Sequence, residues 1–322
     1  MRLKAILALA LLLAVAAAAG LLIRHWWADG PLPRSTAIVI PEGATLTRAA
    51  RTLDAAGAIR SPGWFLRLAS VLGPDDPVRA GEFEIPAGAS GRQVLDILQH
   101  GRPVQRFVTI PEGMPSVLVH ERLTAAPFLT GSVAVPAEGS VLPDSYAYQR
   151  GESRAAVLGR MQAAMTKELD RLWQARKPTS VVTSKADAVT LASVVEKETG
   201  KPSERRMVAG VYSNRLRIGM KLDADPTVIY PVTRGRPLGR RILRSELRAD
   251  NGYNTYARPG LPAGPIANPG RESIAAVLDP APTRALYFVA DGTGGHIFAE
   301  TLAEHNANVR KWFALRRARG EM

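Results

Sequence analysis

The sequence predicts an α+β protein: a small α+β module, then a larger and mainly helical α+β domain, both behind an N-terminal transmembrane helix. Three observations carry this. The opening Met1-Arg2-Leu3-Lys4 is followed by nineteen residues, Ala5 to Ile23, with no charged or polar side chain, enough at roughly 1.5 Å per residue to cross a hydrocarbon core. The stretch Ile38-Val-Ile-Pro-Glu-Gly43 is echoed by Val108-Thr-Ile-Pro-Glu-Gly113, each an apolar strand, a turn and the start of a helical pattern. From about residue 104 the apolar spacing becomes that of longer helices, with Val157, Met161, Met165, Leu169 and Leu172 on one face.

Residues 1–4 are expected as a cytoplasmic tail, held there by Arg2 and Lys4, and 5–23 as the span. A cleaved signal is the alternative, but its apolar region usually has about 7–15 residues. The run here is longer and ends beside Trp26-Trp27, rings suited to a membrane interface. Residues 24–35, with Gly30-Pro-Leu-Pro-Arg-Ser35, read as a stiff tether. The module covers 36–102: after its first strand come helices over Leu46–Leu53 and Pro62–Leu72 and a strand over Gly81–Ile85. Ser90 then caps a helix carrying Val94, Leu95, Ile97 and Leu98. Pattern alone leaves glycan binding and a spacer role equally open.

In the domain at 104–322, Leu142-Pro-Asp-Ser-Tyr146 leads into a helix from Ser153 to about Arg176, and Ser184 with Asp187 makes a capping box that starts another. A helix follows over Ser203–Leu216. The region from Gly219 to Gly270 is rich in Gly and Pro and reads as loops. Leu286–Ala290 and His296–Phe298 read as strands around Asp291-Gly-Thr-Gly-Gly295, and Thr301 with Glu304 opens the last helix.

Composition narrows the chemistry. The chain has no cysteine, which removes disulfides, thiolate nucleophiles and Cys-ligated metals. Its five histidines include no His-Glu-x-x-His, and His296 and His305 lack paired ligand spacing, so no metal or other cofactor is expected. The net charge of +13, from 42 Lys+Arg against 29 Asp+Glu, is a footprint for an anionic partner. Behind a membrane anchor, lipid headgroups or an acidic wall polymer fit that charge better than nucleic acid does.

The most telling stretch is Leu191-Ala-Ser-Val-Val-Glu196-Lys-Glu198-Thr199-Gly200. Leu191, Val194, Val195 and Glu198 recur at i, i+3, i+4 and i+7, so Glu198 lies on the apolar stripe. Glu196 points about 160° away at roughly 100° per residue and reads as solvated. A carboxyl group against apolar side chains has its pKa raised by desolvation and suits a general acid. The bland alternative is a helix-end Glu beside Lys197. Downstream, Asp225-Pro-Thr227-Val-Ile-Tyr230, Tyr253-Asn254-Thr255-Tyr256 and the loop Gly260 to Gly270 with Asn268 mix rings, amides and hydroxyls, the mixture that a polar ligand with apolar faces, such as a sugar, needs; each segment taken alone also reads as ordinary loop structure.

Glu196-Lys-Glu198-Thr199, Arg215-Leu-Arg-Ile-Gly-Met220, Asp225–Tyr230, Tyr253–Tyr256, Gly260-Leu-Pro262 and Tyr287–Asp291-Gly with Gly295-His296 resemble the YceG-like (MltG) endolytic murein transglycosylases over nearly the whole chain. The resemblance implies a LysM-like subdomain at 36–102, a catalytic domain at 104–322, and Glu198 as the catalytic glutamate. It implies a lyase, anchored in the inner (plasma) membrane by one span with its catalytic part on the extracytoplasmic side. Such an enzyme cuts MurNAc-GlcNAc bonds of nascent peptidoglycan strands and leaves 1,6-anhydro-MurNAc ends. Its partners are those strands, the membrane and peptidoglycan synthases, with no nucleic acid and no metal. Thr227, Tyr230, Asn254, Tyr256 and Asn268 are the candidates for holding substrate. Departures fall at Leu142, where the family often has an aromatic residue, at Ala263, where a second Pro is common, and at Asp250-Asn-Gly. Arg234, Arg236, Arg240, Arg241, Arg244 and Arg248 crowd one loop, either as a solvated face or as a contact for stem-peptide carboxylates or lipid phosphates. Two other readings stand beside the lyase: a hydrolase using Asp223 or Asp225 as second carboxylate, and a non-catalytic wall-binding scaffold.

Overall fold

The computed structural model describes residues 2–321. The chain divides into two compact units, one made of the residues up to Arg106 with Tyr148–Gly151, the other of Phe107–Ala147 with the residues from Glu152 on. It is mixed helix and strand, with three two-stranded sheets among the described residues.

The first unit opens with α1 (Arg2–Trp27), in which Leu9–Trp27 is long and apolar enough to cross a membrane. Leu11, Leu12, Val15 and Leu21 lie exposed along it. Trp26 does the opposite: it is buried, its ring 5.8 Å from that of Phe65. The segment expected as a tether is built into this unit too. Leu32 is buried, and Gly30 N donates to Gly88 O and Gly88 N to Leu32 O, both at 2.9 Å. Two large apolar side chains, at 26 and 32, draw the intervening backbone onto the core.

β1 (Thr36–Ile40) pairs antiparallel with β2 (Gly81–Ile85), Ile38 opposite Phe83. Around them pack α2 (Leu46–Ala55), α3 (Pro62–Leu72) and α4 (Gly91–His100). Thr45 caps α2 by accepting from Arg48 N, and Ser90 with Gln93 closes a capping box on α4. Ile40, Leu53, Phe83, Ile85, Leu95 and Leu98 fill the core. The Glu82 carboxylate is almost fully buried against Arg106 at 2.7 Å and Arg150 at 3.3 Å; the Arg106 guanidinium first, then Arg150, holds its pKa below the usual carboxylate range.

β3 (Arg106–Thr109) pairs with β4 (Ser145–Tyr148), the latter a strand that the Pro-bounded lead-in did not announce. The two Pro-Glu-Gly turns have the same geometry: Ala44 N donates to Pro41 O and Met114 N to Pro111 O, with Gly43 and Gly113 at φ near +70°, where only glycine is unstrained. A helix follows each turn, α2 after the first and α5 (Ser116–Ala125) after the second.

The larger unit is built on α6 (Arg154–Gln174), α7 (Lys185–Glu198) and α8 (Arg205–Arg217); a 3-10 turn, Pro202–Glu204, precedes α8 in place of a helix starting at Ser203. The expected loop region holds two helices, α9 (Asp225–Thr233) and α10 (Arg244–Arg248). In α9, Pro226 sits in the first turn, where no intrahelical N–H is lost, and Thr227 and Val228 are buried, so packing makes a helix of a segment whose prolines read as loop. α11 (Arg271–Leu278) lies against α7 and α8. β5 (Tyr287–Ala290) and β6 (His296–Ala299) form the expected hairpin, Ala290 opposite His296. α12 (Leu302–Ala318) starts at the Thr301–Glu304 capping box and packs on both strands, with none of its side chains fully buried.

Candidate active site

Glu198 is placed by the packing of α7. Ser184 Oγ accepts from Asp187 N at 3.0 Å, which starts the helix in register. Leu191, Ala192, Val194 and Val195 are then buried among α8, α11 and α6. Glu198 is the last helical residue, half-buried, and Thr199 ends the helix with its hydroxyl donating to Val195 O at 2.7 Å.

Glu198 lines two cavities. One, of about 420 Å³, is lined by Glu198 with Tyr212 and Arg215 of α8, Asp223, Asp225, Tyr256, Tyr287 and Phe288 of β5, and Leu302 and His305 of α12. The other, of about 440 Å³, is lined by Glu198 and Lys197 with Gly200, the hairpin from Ala290 to His296, and Trp312 and Arg319. Burial pushes the Glu198 carboxyl up to about 7, the Asp225 charge adding to this and the Arg215 charge opposing it. Near neutral pH it is therefore poised between acid and base, as a group that first donates and then accepts a proton must be.

The surroundings are held firmly. Arg215 is almost fully buried; its Nε donates to Leu286 O at 2.6 Å and its Nη1 to Leu222 O at 2.8 Å, with Asp223 3.5 Å away. It thus ties β5 to the 221–223 turn while leaving a positive charge on the cavity wall. Asp223 sits at φ +48°, an uncommon conformation for a residue other than glycine. Tyr256 donates its hydroxyl to Asp225 Oδ1 at 2.7 Å; its pKa is raised, first by burial and then by that bond. In the other cavity, His296 Nδ1 lies 2.8 Å from Glu204 Oε2 and its backbone N donates to Oε1. A Cβ at Gly295 would crowd this carboxylate, so a larger residue there would press the Glu204 side chain away from its place on His296.

Of the five expected substrate contacts, the structure brings Tyr256 to the Glu198 cavity and commits the other four elsewhere. Thr227 is fully buried, its hydroxyl donating to Ala224 O at 2.7 Å and meeting Thr255 Oγ1 at 2.9 Å. Asn254 is buried and gives its amide protons to the carbonyls of Glu246, Leu247 and Ala249, ending α10. Asn268 is fully buried: its Oδ1 accepts from Val141 N, and its Nδ2 donates to Met114 O and Ser116 Oγ. Tyr230 donates to Glu138 Oε2 at 3.2 Å, beside a carboxyl that burial pushes above its ordinary range. Thr227, Asn254 and Asn268 thus hold their loops by satisfying buried backbone groups, and Tyr230 serves a buried carboxyl.

Glu196 also departs from expectation. Its side chain is only 6% exposed, with Oε1 3.4 Å from Arg205 and Oε2 accepting from Gly270 N, the cap residue of α11, at 2.9 Å. The wheel correctly separates it from Glu198, but α7 is covered on almost all sides, so the face opposite the stripe is not solvent. Within the arginine-rich loop, Arg236 pairs with Glu121 and Arg240 with Glu246; Arg234 takes the left-handed conformation that ends α9. Two of the loop's arginines are thus taken up by the chain's own carboxylates.

Arg215, Tyr287, His296 and His305 come to the Glu198 cavities from later segments through tertiary contact; the first three stand in segments that carry the family resemblance without a site role, and His305, considered in the sequence only as a metal ligand, stands in none of them. Among the described residues no group of three or more His, Asp or Glu converges as a metal site.

Known proteins share this arrangement of elements. The crystal structure of a YceG-like protein from Listeria monocytogenes superposes with a TM-score of 0.52 at 25% sequence identity, covering 85% of this chain and 98% of that one. An endolytic murein transglycosylase of Bacillus subtilis is 33% identical over 179 residues, 56% of this chain and 49% of that protein. One of Streptococcus pneumoniae is 27% identical over 330 aligned positions, 87% of this chain and 59% of that protein. The chain thus spans about half to three fifths of the length of these curated relatives. Residues 38–311 match the YceG-like family, and the chain belongs to that family.

Proposed function

We propose that the chain is an endolytic peptidoglycan lytic transglycosylase, with Glu198 as acid and then base. The observation that carries this is the Glu198 carboxyl group, raised to about 7, on the walls of two cavities. A strand laid through both cavities presents an internal glycosidic bond to the acid, so no chain end is needed. Glu198 gives its proton to the bridging oxygen as the bond from C1 of the MurNAc residue breaks. The carboxylate then takes the proton of that sugar's own 6-hydroxyl, whose oxygen closes on C1. Atoms balance without water, and the acid is regenerated. A glycosidase that uses water normally needs a second carboxylate; here the sugar's hydroxyl replaces the water. The names of the pneumococcal and Bacillus relatives support the same reaction class.

A hydrolytic outcome is the second reading, supported by Asp223 and Asp225 on the wall of the first cavity. Mass spectrometry of products from purified peptidoglycan separates the two. The transglycosylase reading expects muropeptides lighter by one water than reducing-end products; products of full mass would establish hydrolysis.

The exposed apolar α1 supports a single-pass anchor; the membrane is read as the inner one and the catalytic part as extracytoplasmic, as the charges at Arg2 and Lys4 suggest. Residues 36–102 are read as a LysM-like module that holds glycan, and strand-polymerising synthases as working partners. The anchor is tested by N-terminal sequencing of membrane-fractionated protein, which is expected to retain Met1 or Arg2. A mature chain beginning near Gly20 or Ala28 would overturn it.

A further inference from the structure

His305 stands out among groups that the mechanism does not use. It projects from α12 into the cavity of Glu198, its ring stacked on Tyr287 with centroids 5.2 Å apart and planes 24° from parallel. Nδ1 is shielded from solvent and has no hydrogen-bond partner. A buried N–H without an acceptor is rarer in proteins than an under-used acceptor, so the ring proton belongs on Nε2, on the edge not shielded. Burial, with the Arg215 charge adding, holds the pKa of the ring below its ordinary value, which keeps it uncharged near neutral pH. The result is a neutral N–H donor, oriented by a stacked ring, on the wall beside the acid.

The same wall carries Asp223 and Asp225. Carboxylates accept from sugar hydroxyls but cannot serve a carbonyl, which only accepts. An N-acetylated amino sugar brings one such carbonyl with it.

We propose that His305 is a substrate-binding residue, donating from Nε2 to the acetamido carbonyl of an amino sugar held next to Glu198. This rests on the reading of the chain as a glycan-cleaving enzyme.

The test uses the full-length protein and steady-state kinetics on purified glycan strands, intact or chemically de-N-acetylated. His305→Phe keeps a ring on Tyr287 but has no donor, and is expected to raise KM about tenfold with kcat within about threefold, the pattern of a lost contact made equally in ground and transition states. His305→Gln places an amide N–H near the Nε2 position and is expected to return KM to within about threefold of wild type. Removal of the acetyl groups should raise the KM of wild type about as much as His305→Phe does, and should add little further to that variant. Unchanged KM in His305→Phe, or independent addition of the two effects, overturns the proposal. So does a His305→Gln protein as impaired as His305→Phe, since that assigns the ring to packing alone. Should His305→Phe fail to fold, the comparison of wild type with His305→Gln on both substrates decides: a KM that ignores acetylation in each overturns the proposal, and a shared dependence on it supports the proposal. Wild type that releases no soluble products sinks the glycan-cleaving reading itself, an outcome distinct from an active wild type indifferent to position 305.

Discussion

Glu198→Gln is expected to fold, retain glycan strands and lose at least about 10²-fold in turnover, since a positioned acid or base typically contributes 10²–10⁴-fold. The amide preserves size and polarity but has no acidic proton. Wild-type turnover should fall as pH rises through about 7, because the donating form is the protonated one. The same shift has a consequence for stability. A carboxyl whose pKa is higher folded than unfolded favours the folded state below the unfolded value near 4.5, and that contribution is lost as pH rises through the folded value. The glutamine variant lacks this penalty. It should melt higher than wild type at pH 8 and the two should converge near pH 4, a comparison made by thermal unfolding across pH. Turnover surviving in Glu198→Gln would remove the carboxyl from the mechanism.

Glu196→Ala, two residues away, should fail in a different manner. Its carboxylate joins Arg205 to the start of α11, and α11 is a principal partner of α7 and α8. Breaking a buried pair costs about 3–5 kcal/mol in full burial, and an orphaned backbone N–H about 1–3 kcal/mol. With Arg205 partly reached by solvent and also paired to Glu112 at 2.8 Å, a loss of about 2–4 kcal/mol is expected. At roughly 2–4 °C per kcal/mol for a domain of this size, the melting temperature should drop by roughly 4–16 °C. Turnover per folded molecule, measured well below that transition, should change far less than in Glu198→Gln. An unaltered melting temperature would show that the Arg205–Glu196–Gly270 link does not hold α11.

The contrast shows what periodicity reveals and where it stops. Ser184, Leu191, Val194 and Val195 are enough to place Glu198 on the inner face of a helix, because spacing along one helix is local information. Whether the opposite face meets water depends on what covers it, and residues 205 and 270 are not visible from the heptad around 196. Residue type misleads for a similar reason. Asn254, Asn268 and Thr227 carry the groups that bind sugars, yet the same groups cap helices and satisfy buried carbonyls, and the chain spends them on that. α9 was hidden by its own prolines, whereas the terminal hairpin and its capped helix were legible to within a residue or two because glycine-rich turn and capping box are sequence-local signals.

The two cavities also set an order in time. Glu198 is synthesised 89 residues before Tyr287, and β5, β6 and α12 with the turns beside them supply one side of the first cavity and most of the second. A growing chain that has exposed α7 carries the acid without the groove that would hold a strand against it. The walls that would hold a strand beside Glu198 are thus complete only once β5, β6 and α12 have emerged and packed together.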